Sequence, residues 1–113
     1  MIVTINRITV STANRSELFQ TIVTLLASVR NEDGCISSRL YLDSADNNSV
    51  LLIEEWKTEK DWDNHLQSRD CAVFLGAVSI LCRPASVDFK LLSYVGGIEA
   101  ITAARKVYTM EHQ

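Results

Sequence analysis

The sequence predicts an α+β domain of the ferredoxin-like, split βαβ kind: a four-stranded antiparallel sheet with helices on one face, plus a short C-terminal helix. Three observations carry that expectation. Hydrophobic periodicity switches between about 2 and 3.6 residues along the chain, in the order βαββαβ. Turns rich in Asp, Asn, Ser and Gly separate the periodic segments. At 113 residues, with 47% hydrophobic residues and one proline, the chain suits one folded domain with a modest core.

Met1 to Val10 reads as a strand, with Ile2, Ile8 and Val10 on one face and Val3, Ile5 and Arg7 on the other. Asn6 shares the first face, and an amide buried among isoleucines must find a partner or line a pocket. Asn14 followed by Glu17 is a capping-box-like start for the first helix, whose apolar stripe is Leu18, Ile22, Leu25, Leu26 and Val29. Asn31-Glu32-Asp33-Gly34 ends that helix, with Gly34 as its left-handed cap. Cys35 to Asp43 alternates as a second strand, with Ile36, Leu40 and Leu42 opposite Arg39 and Tyr41. The turn from Asp43 to Ser49 returns the chain as an antiparallel third strand, Val50 to Lys57, apolar on both faces.

Thr58 caps a short helix with Asp61 at the third position, and Trp62, His65 and Leu66 fall on one side of it. Ser68-Arg69-Asp70 interrupts, and a second helix runs to about Cys82 with Phe74, Val78 and Leu81 as its buried stripe; Arg83 and Pro84 stop it. Val87 to Val95 is a fourth strand, with Val87, Phe89 and Leu91 on one face and Leu92 and Tyr94 on the other. Gly96-Gly97 then turns the chain into a final helix from Ile98 to about Val107. The expected division is a domain over residues 1–95 and a C-terminal helical extension over 96–113.

Helices cover one side of such a sheet, yet every strand keeps apolar residues on both faces. A second copy of the chain, packed sheet to sheet, is the expected cover, so the sequence predicts a homodimer. A net charge of −3 with both signs interspersed gives no reason to expect nucleic acid or an anionic membrane as partner. No apolar run approaches the ~20 residues that span a bilayer, and no basic leader precedes a cleavage site, so a soluble cytoplasmic protein is expected. Cys35, Cys71 and Cys82 show no CxxC pairing and read as buried, reduced thiols.

Familiar catalytic signatures are missing: no G-x-S-x-G elbow, no phosphate-cradling glycine loop, no H-E-x-x-H or Cys/His metal spacing. The other histidine, His112, lies in the tail, so no protein-bound metal is expected. His65 is the candidate general base, with a hydrogen-bonded, half-buried histidine as the plainer reading. Trp62 and Trp56 could wall an aromatic ligand or serve as core. Asn6 could hold a ligand carbonyl or phenolate oxygen, or be a structural amide. Glu54 and Glu55 face opposite sides of a strand and cannot pair, and one of them is assigned to dimer or strand-end contacts. The acidic run from Glu54 to Asp63 is assigned mainly to helix capping and solvation.

The segment E-E-W-K-T-E-K-D-W-D-N-H-L-Q-S, Glu54 to Ser68, resembles the signature of the antibiotic biosynthesis monooxygenase family. Those proteins are small dimeric α/β barrels, with an apolar strand ending in x-E-x-W-K, a short helix with H-L-x-S and an apolar helix carrying a Phe. The element order matches over residues 1–95. The family includes oxygenases that oxidise anthrones or quinols with dioxygen using no metal or flavin, relatives that degrade haem, and relatives that act on small signalling metabolites. The resemblance therefore implies a cofactor-independent monooxygenase acting on a small aromatic, anthrone or quinol-type substrate. Asn6 and His65 would be catalytic, and Trp62, Trp56 and Phe74 would form the substrate walls. The alternatives are a non-catalytic or isomerase-like small-molecule-binding protein of stress or metabolite handling. Asn6-Arg7 is similar to the Asn-Arg on the first strand of the haem-degrading relatives, with Asn6 at the place of their catalytic asparagine. Those relatives carry a tryptophan where this chain has His65, and an iron-ligating histidine near Leu75-Gly76 where it has none, so haem is not expected. The family's usual histidine after H-L-x-S is replaced by Arg69-Asp70-Cys71.

Overall fold

The structure, a computed structural model, describes residues 1–83, 87–93 and 97–112, apart from the side chains of Ser93 and Tyr108. The elements are β1 (Ile2–Thr9), α1 (Thr12–Val29), β2 (Cys35–Leu42), β3 (Ser49–Trp56), α2 (Glu59–Leu66), α3 (Arg69–Leu81), β4 (Val87–Ser93) and α4 (Ile98–Glu111). The four strands form one antiparallel sheet in the order β2-β3-β1-β4. This is the ferredoxin-like arrangement that the alternating patterns predict. No helix among the described residues is long and apolar enough to cross a membrane.

Register decides which side chains meet. On β1, Thr4 pairs with Glu54 of β3 and Leu91 of β4, while Asn6 pairs with Leu52 and Phe89. Because alternate side chains share a face, these residues stand together on the helix side of the sheet. One half of that side is aliphatic: Ile8, Val10, Val50 and Leu52 pack against Leu18, Ile22 and Leu26 of α1, with Phe74, Val78 and Leu81 of α3 completing the cluster. The opposite face carries Val3, Ile5, Leu51 and Ile53, all only half-buried, and Leu92, which is largely exposed.

Several local expectations change. α1 begins at Thr12 after Ser11, and Asn14 is not its cap; the Asn14 amide instead donates to the carbonyl of Leu81, tying α1 to the end of α3. In β2 an irregularity between Cys35 and Ser37 inserts Ile36 as an extra residue. That shift takes Ile36 off the buried face, on which Ser38 stays in phase with Leu40: Ser38 is 0% exposed and Ile36 48%. Of the three thiols only Cys71 is buried, Cys35 and Cys82 being partly exposed. α3 ends at Leu81, and α4 runs on to Glu111, one turn past the expected Val107. Pro84, Tyr94, Val95 and Gly96 lie outside the described residues.

Gly34 takes the expected left-handed φ of +78°, but it is not the cap of α1: that helix ends at Val29 with Arg30 as a right-handed C-cap, and Gly34 turns the chain into β2. Its carbonyl accepts a hydrogen bond of 2.8 Å from the Lys57 amide, and Asp61 occupies the space where a side chain would go. The turn after α1 is thereby fastened to the junction between β3 and α2.

Candidate active site

Beyond the aliphatic half, the sheet and helices separate around a cavity of about 370 Å³. That is the size of a pocket for a small organic molecule. Leu25 and Val29 of α1, Leu66 of α2, Phe74 and Leu75 of α3, and Val87 and Phe89 of β4 form its apolar walls. Thr4, Asn6 and Glu54 on the sheet, with His65 of α2 and Asp70 and Cys71 at the start of α3, supply polar groups.

The helices are set by short-range chemistry. The Thr58 hydroxyl accepts from the Asp61 amide at 3.1 Å and donates to the Asp61 carboxylate at 2.8 Å, fixing the first turn of α2. Trp62 and His65 then fall on the sheet-facing side, one turn apart. The Trp62 ring lies nearly parallel to Phe89, with centroids 6.0 Å apart and an interplanar angle of 8°. Ser68 caps α3 by accepting from the Cys71 amide at 3.1 Å, which places Asp70 and Cys71 at the cavity mouth. On the floor, the half-buried Asn6 amide makes no hydrogen bond to the described residues, and the Thr4 hydroxyl is buried without a protein partner.

His65 organises the deep end. Only 8% exposed, it donates from Nδ1 to the Glu32 carboxylate, at 2.9 and 3.0 Å from its two oxygens. Its Nε2 faces Glu54 Oε1 at 3.7 Å. Glu54 is itself 4% exposed, and its other oxygen accepts a 2.7 Å hydrogen bond from Ser38. Trp56 stacks on the imidazole, with centroids 4.6 Å apart. Burial away from water pushes the Glu54 carboxyl above its ordinary 4.5, with the Ser38 hydrogen bond and the His65 charge pulling it back. Glu32 is raised in the same way, by burial first, with Asp70 adding like-charge repulsion and His65 opposing. The Cys35 thiol is pushed up to about 11 by burial and then by the charges of Glu54 and Glu32. Cys71 is raised by the same causes, so neither thiol is prepared as a nucleophile.

The cavity brings together Asn6, His65, Trp62 and Phe74. Trp56 does not line it; fully buried, it backs the imidazole from behind. Glu54 is neither solvated nor a strand-end residue. Its position had a sequence signal, since it lies in phase with Leu52 and Trp56 on the strand and opposite Glu55. Phe89 shares the face predicted for it with Val87 and also lines the cavity, which the strand pattern alone does not reveal. Glu32 had no signal, because a residue in a helix-ending turn reaches His65 only through the path of the chain around Gly34. Among the described residues, no group of three or more His, Cys, Asp or Glu side chains is arranged to hold a metal ion.

A four-stranded antiparallel sheet with helices on one face and an apolar cavity beneath them defines an α+β protein of ferredoxin-like fold. Residues 1–76 match the model of the antibiotic biosynthesis monooxygenase family, and the chain belongs to that family. An uncharacterized protein of Synechocystis sp. is 30% identical over 87 residues, which span 76% of this chain but only 59% of that protein. A Mycobacterium tuberculosis structure superposes with a TM-score of 0.77 at 25% identity, covering 85% of this chain and 96% of the other. SnoaB, a cofactor-independent oxygenase from Streptomyces nogalater, superposes with a TM-score of 0.74 at 18% identity, covering 85% of this chain and 94% of its own. At that identity the likeness to SnoaB is one of fold.

Proposed function

We propose that this protein is a cofactor-independent monooxygenase that oxidises a small aromatic, anthrone or quinol-type substrate with dioxygen. The observation that carries this reading is the composition of the cavity: apolar walls, an unpartnered amide at Asn6 and an acid–base cluster at one end. An electron-rich ring fits between Trp62, Phe89 and Phe74. The Asn6 amide donates to the substrate oxygen and favours its anion, while the His65 corner handles the proton. The resulting carbanion or enolate reduces dioxygen. For an anthrone, one oxygen atom enters the ring carbon and the other leaves as water, the four electrons coming from the substrate itself. Trp56 supports His65 rather than contacting substrate.

In this reading the unit is a homodimer, with the half-exposed face of Val3, Ile5, Leu51 and Ile53 packed against its copy. Residues 1–95 form the catalytic domain, residues 96–113 an extension, and the protein works in the cytoplasm. Metal-free protein is expected to accelerate oxygen uptake with members of an anthrone and quinol panel, and Asn6→Ala to lose roughly 100- to 1000-fold of it. No uptake across the panel, or an unaffected Asn6→Ala variant, refutes the oxygenase. Tight binding of aromatics without oxygen use would select a binding protein, and a product of unchanged mass an isomerase. A monomer at micromolar concentration by light scattering would refute the dimer.

A further inference from the structure

We infer that Glu54, not His65, takes the proton from the bound substrate, and that His65 and Glu32 then carry it to solvent. The inference rests on reading the cavity as one that deprotonates an oxygenated ring, and it assigns the atoms that do so.

An imidazole has two nitrogens, and both are already directed at carboxylates here, Nδ1 at Glu32 and Nε2 at Glu54. No third basic site remains for a ligand. Glu54 differs. It lines the cavity, Ser38 occupies one of its oxygens, and the other is 3.7 Å from Nε2 with no hydrogen bond of its own among the described residues. Its strand partner across the register is Thr4, whose unpartnered hydroxyl offers a donor beside the same carboxylate. The sheet floor thus presents a hydrogen-bond donor at Asn6 and a proton acceptor at Glu54, about two strand residues apart, or ~7 Å.

The path outward is short. When the substrate O–H or C–H bond breaks, its electron pair stays on the substrate as phenolate or enolate and the proton bonds to Glu54. Starting from a neutral imidazole with its proton on Nδ1, Glu54 passes the proton to His65 Nε2 as the Nδ1 proton moves to Glu32, restoring the Glu54 carboxylate; one proton crosses and no electrons do. The 3.7 Å gap from Glu54 to Nε2 is roughly 1 Å longer than a charge-assisted hydrogen bond, so a small side-chain movement closes it. Glu32, with 19% of its side chain exposed, is the exit to water. Trp56 stacked on the ring makes rotation of the imidazole costly and keeps both nitrogens in line. The other charged or titratable groups at the cluster are Arg30, whose Nε donates to the Ser38 carbonyl, Asp70 of α3 and the thiols of Cys35 and Cys71. Asp70 strengthens the hold of Glu32 on a proton, and burial raises the proton affinity of Glu54 toward that of a working base.

Anaerobic hydrogen–deuterium exchange at the methylene of anthrone, followed by mass spectrometry, reads proton abstraction without the oxygen step. Wild-type protein is expected to accelerate the exchange, and Glu54→Gln to lose about 100-fold or more of it while still binding anthrone. Glu32→Gln is expected to slow exchange and to be rescued by added imidazole buffer. Exchange that survives in Glu54→Gln overturns the assignment, and an unslowed Glu32→Gln overturns the relay. Should Glu54→Gln fail to fold, Glu54→Asp is expected to keep partial exchange with a displaced pH profile, and an unchanged profile counts against the assignment. Wild-type exchange without oxygen uptake leaves Glu54 standing and removes the oxygenase. Oxygen uptake that persists in Glu54→Gln does the reverse, and a wild type showing neither removes both.

Discussion

The layer between the sheet and its helices has two unlike halves built from the same strands. Along β1 and the residue after it the helix-facing residues change from Val10 and Ile8 to Asn6 and Thr4, and on β3 from Val50 and Leu52 to Glu54 and Trp56. In the first half, aliphatic side chains from α1 fill the space, with Ile8, Leu18 and Val50 all at 0% exposure. In the second, the side chains leave a cavity and buried polar atoms without protein partners. Unfilled space and unpaired polar atoms both cost stability. The aliphatic half therefore holds the fold, and the polar half spends part of that stability on a site.

This contrast can be broken by mutation. Leu18→Ala is expected to cost about 2–5 kcal/mol in urea unfolding, because it empties a filled core. Asn6→Ala should leave the urea midpoint nearly unchanged yet reduce turnover by roughly 100- to 1000-fold, the effect of removing one oriented donor. If both variants lose similar stability, the two halves are one core and the contrast is wrong.

Glu54 sharpens it through pH. Its folded pKa is raised above 4.5, so the folded chain binds that proton more tightly than the unfolded chain. This stabilising contribution is complete below the unfolded pKa and is lost as pH rises through the folded one. Glu54→Gln, which keeps an acceptor for Ser38, is therefore expected to melt above wild type at neutral pH. The advantage should shrink as pH falls toward 4.5. A variant that melts lower at neutral pH would mean that the ion pair with His65 outweighs burial. The smallest effect is expected for Thr58→Ala, about 1 kcal/mol of stability from the lost cap, with ligand binding unaltered by calorimetry.

The four strands and the faces of β1, β3 and β4 are legible because alternation at period 2 survives wherever one face is buried. It failed at the start of β2, where the extra residue takes Ile36 out of phase with Leu40 and Leu42, while Ser38, in phase with them, reaches Glu54. The helix start at Ser11 was missed because Asn14, a good cap in isolation, is used for a tertiary bond to Leu81. At the site, Asn6 and His65 stood out as polar groups on apolar faces, and the cavity contains both. Glu54 was legible by parity but was read with its exposed neighbours. Glu32 was not legible, since its role exists only once two distant segments are brought side by side.

That meeting depends on Gly34. Any side chain there would collide with Asp61, in the first turn of the helix carrying His65, and the positive φ would be strained as well. Relief of the clash would move the turn that holds Glu32, or the helix that holds its partner. In a survey of random substitutions scored by turnover, position 34 would therefore rank with the active-site residues, although it touches no ligand and carries no chemistry of its own.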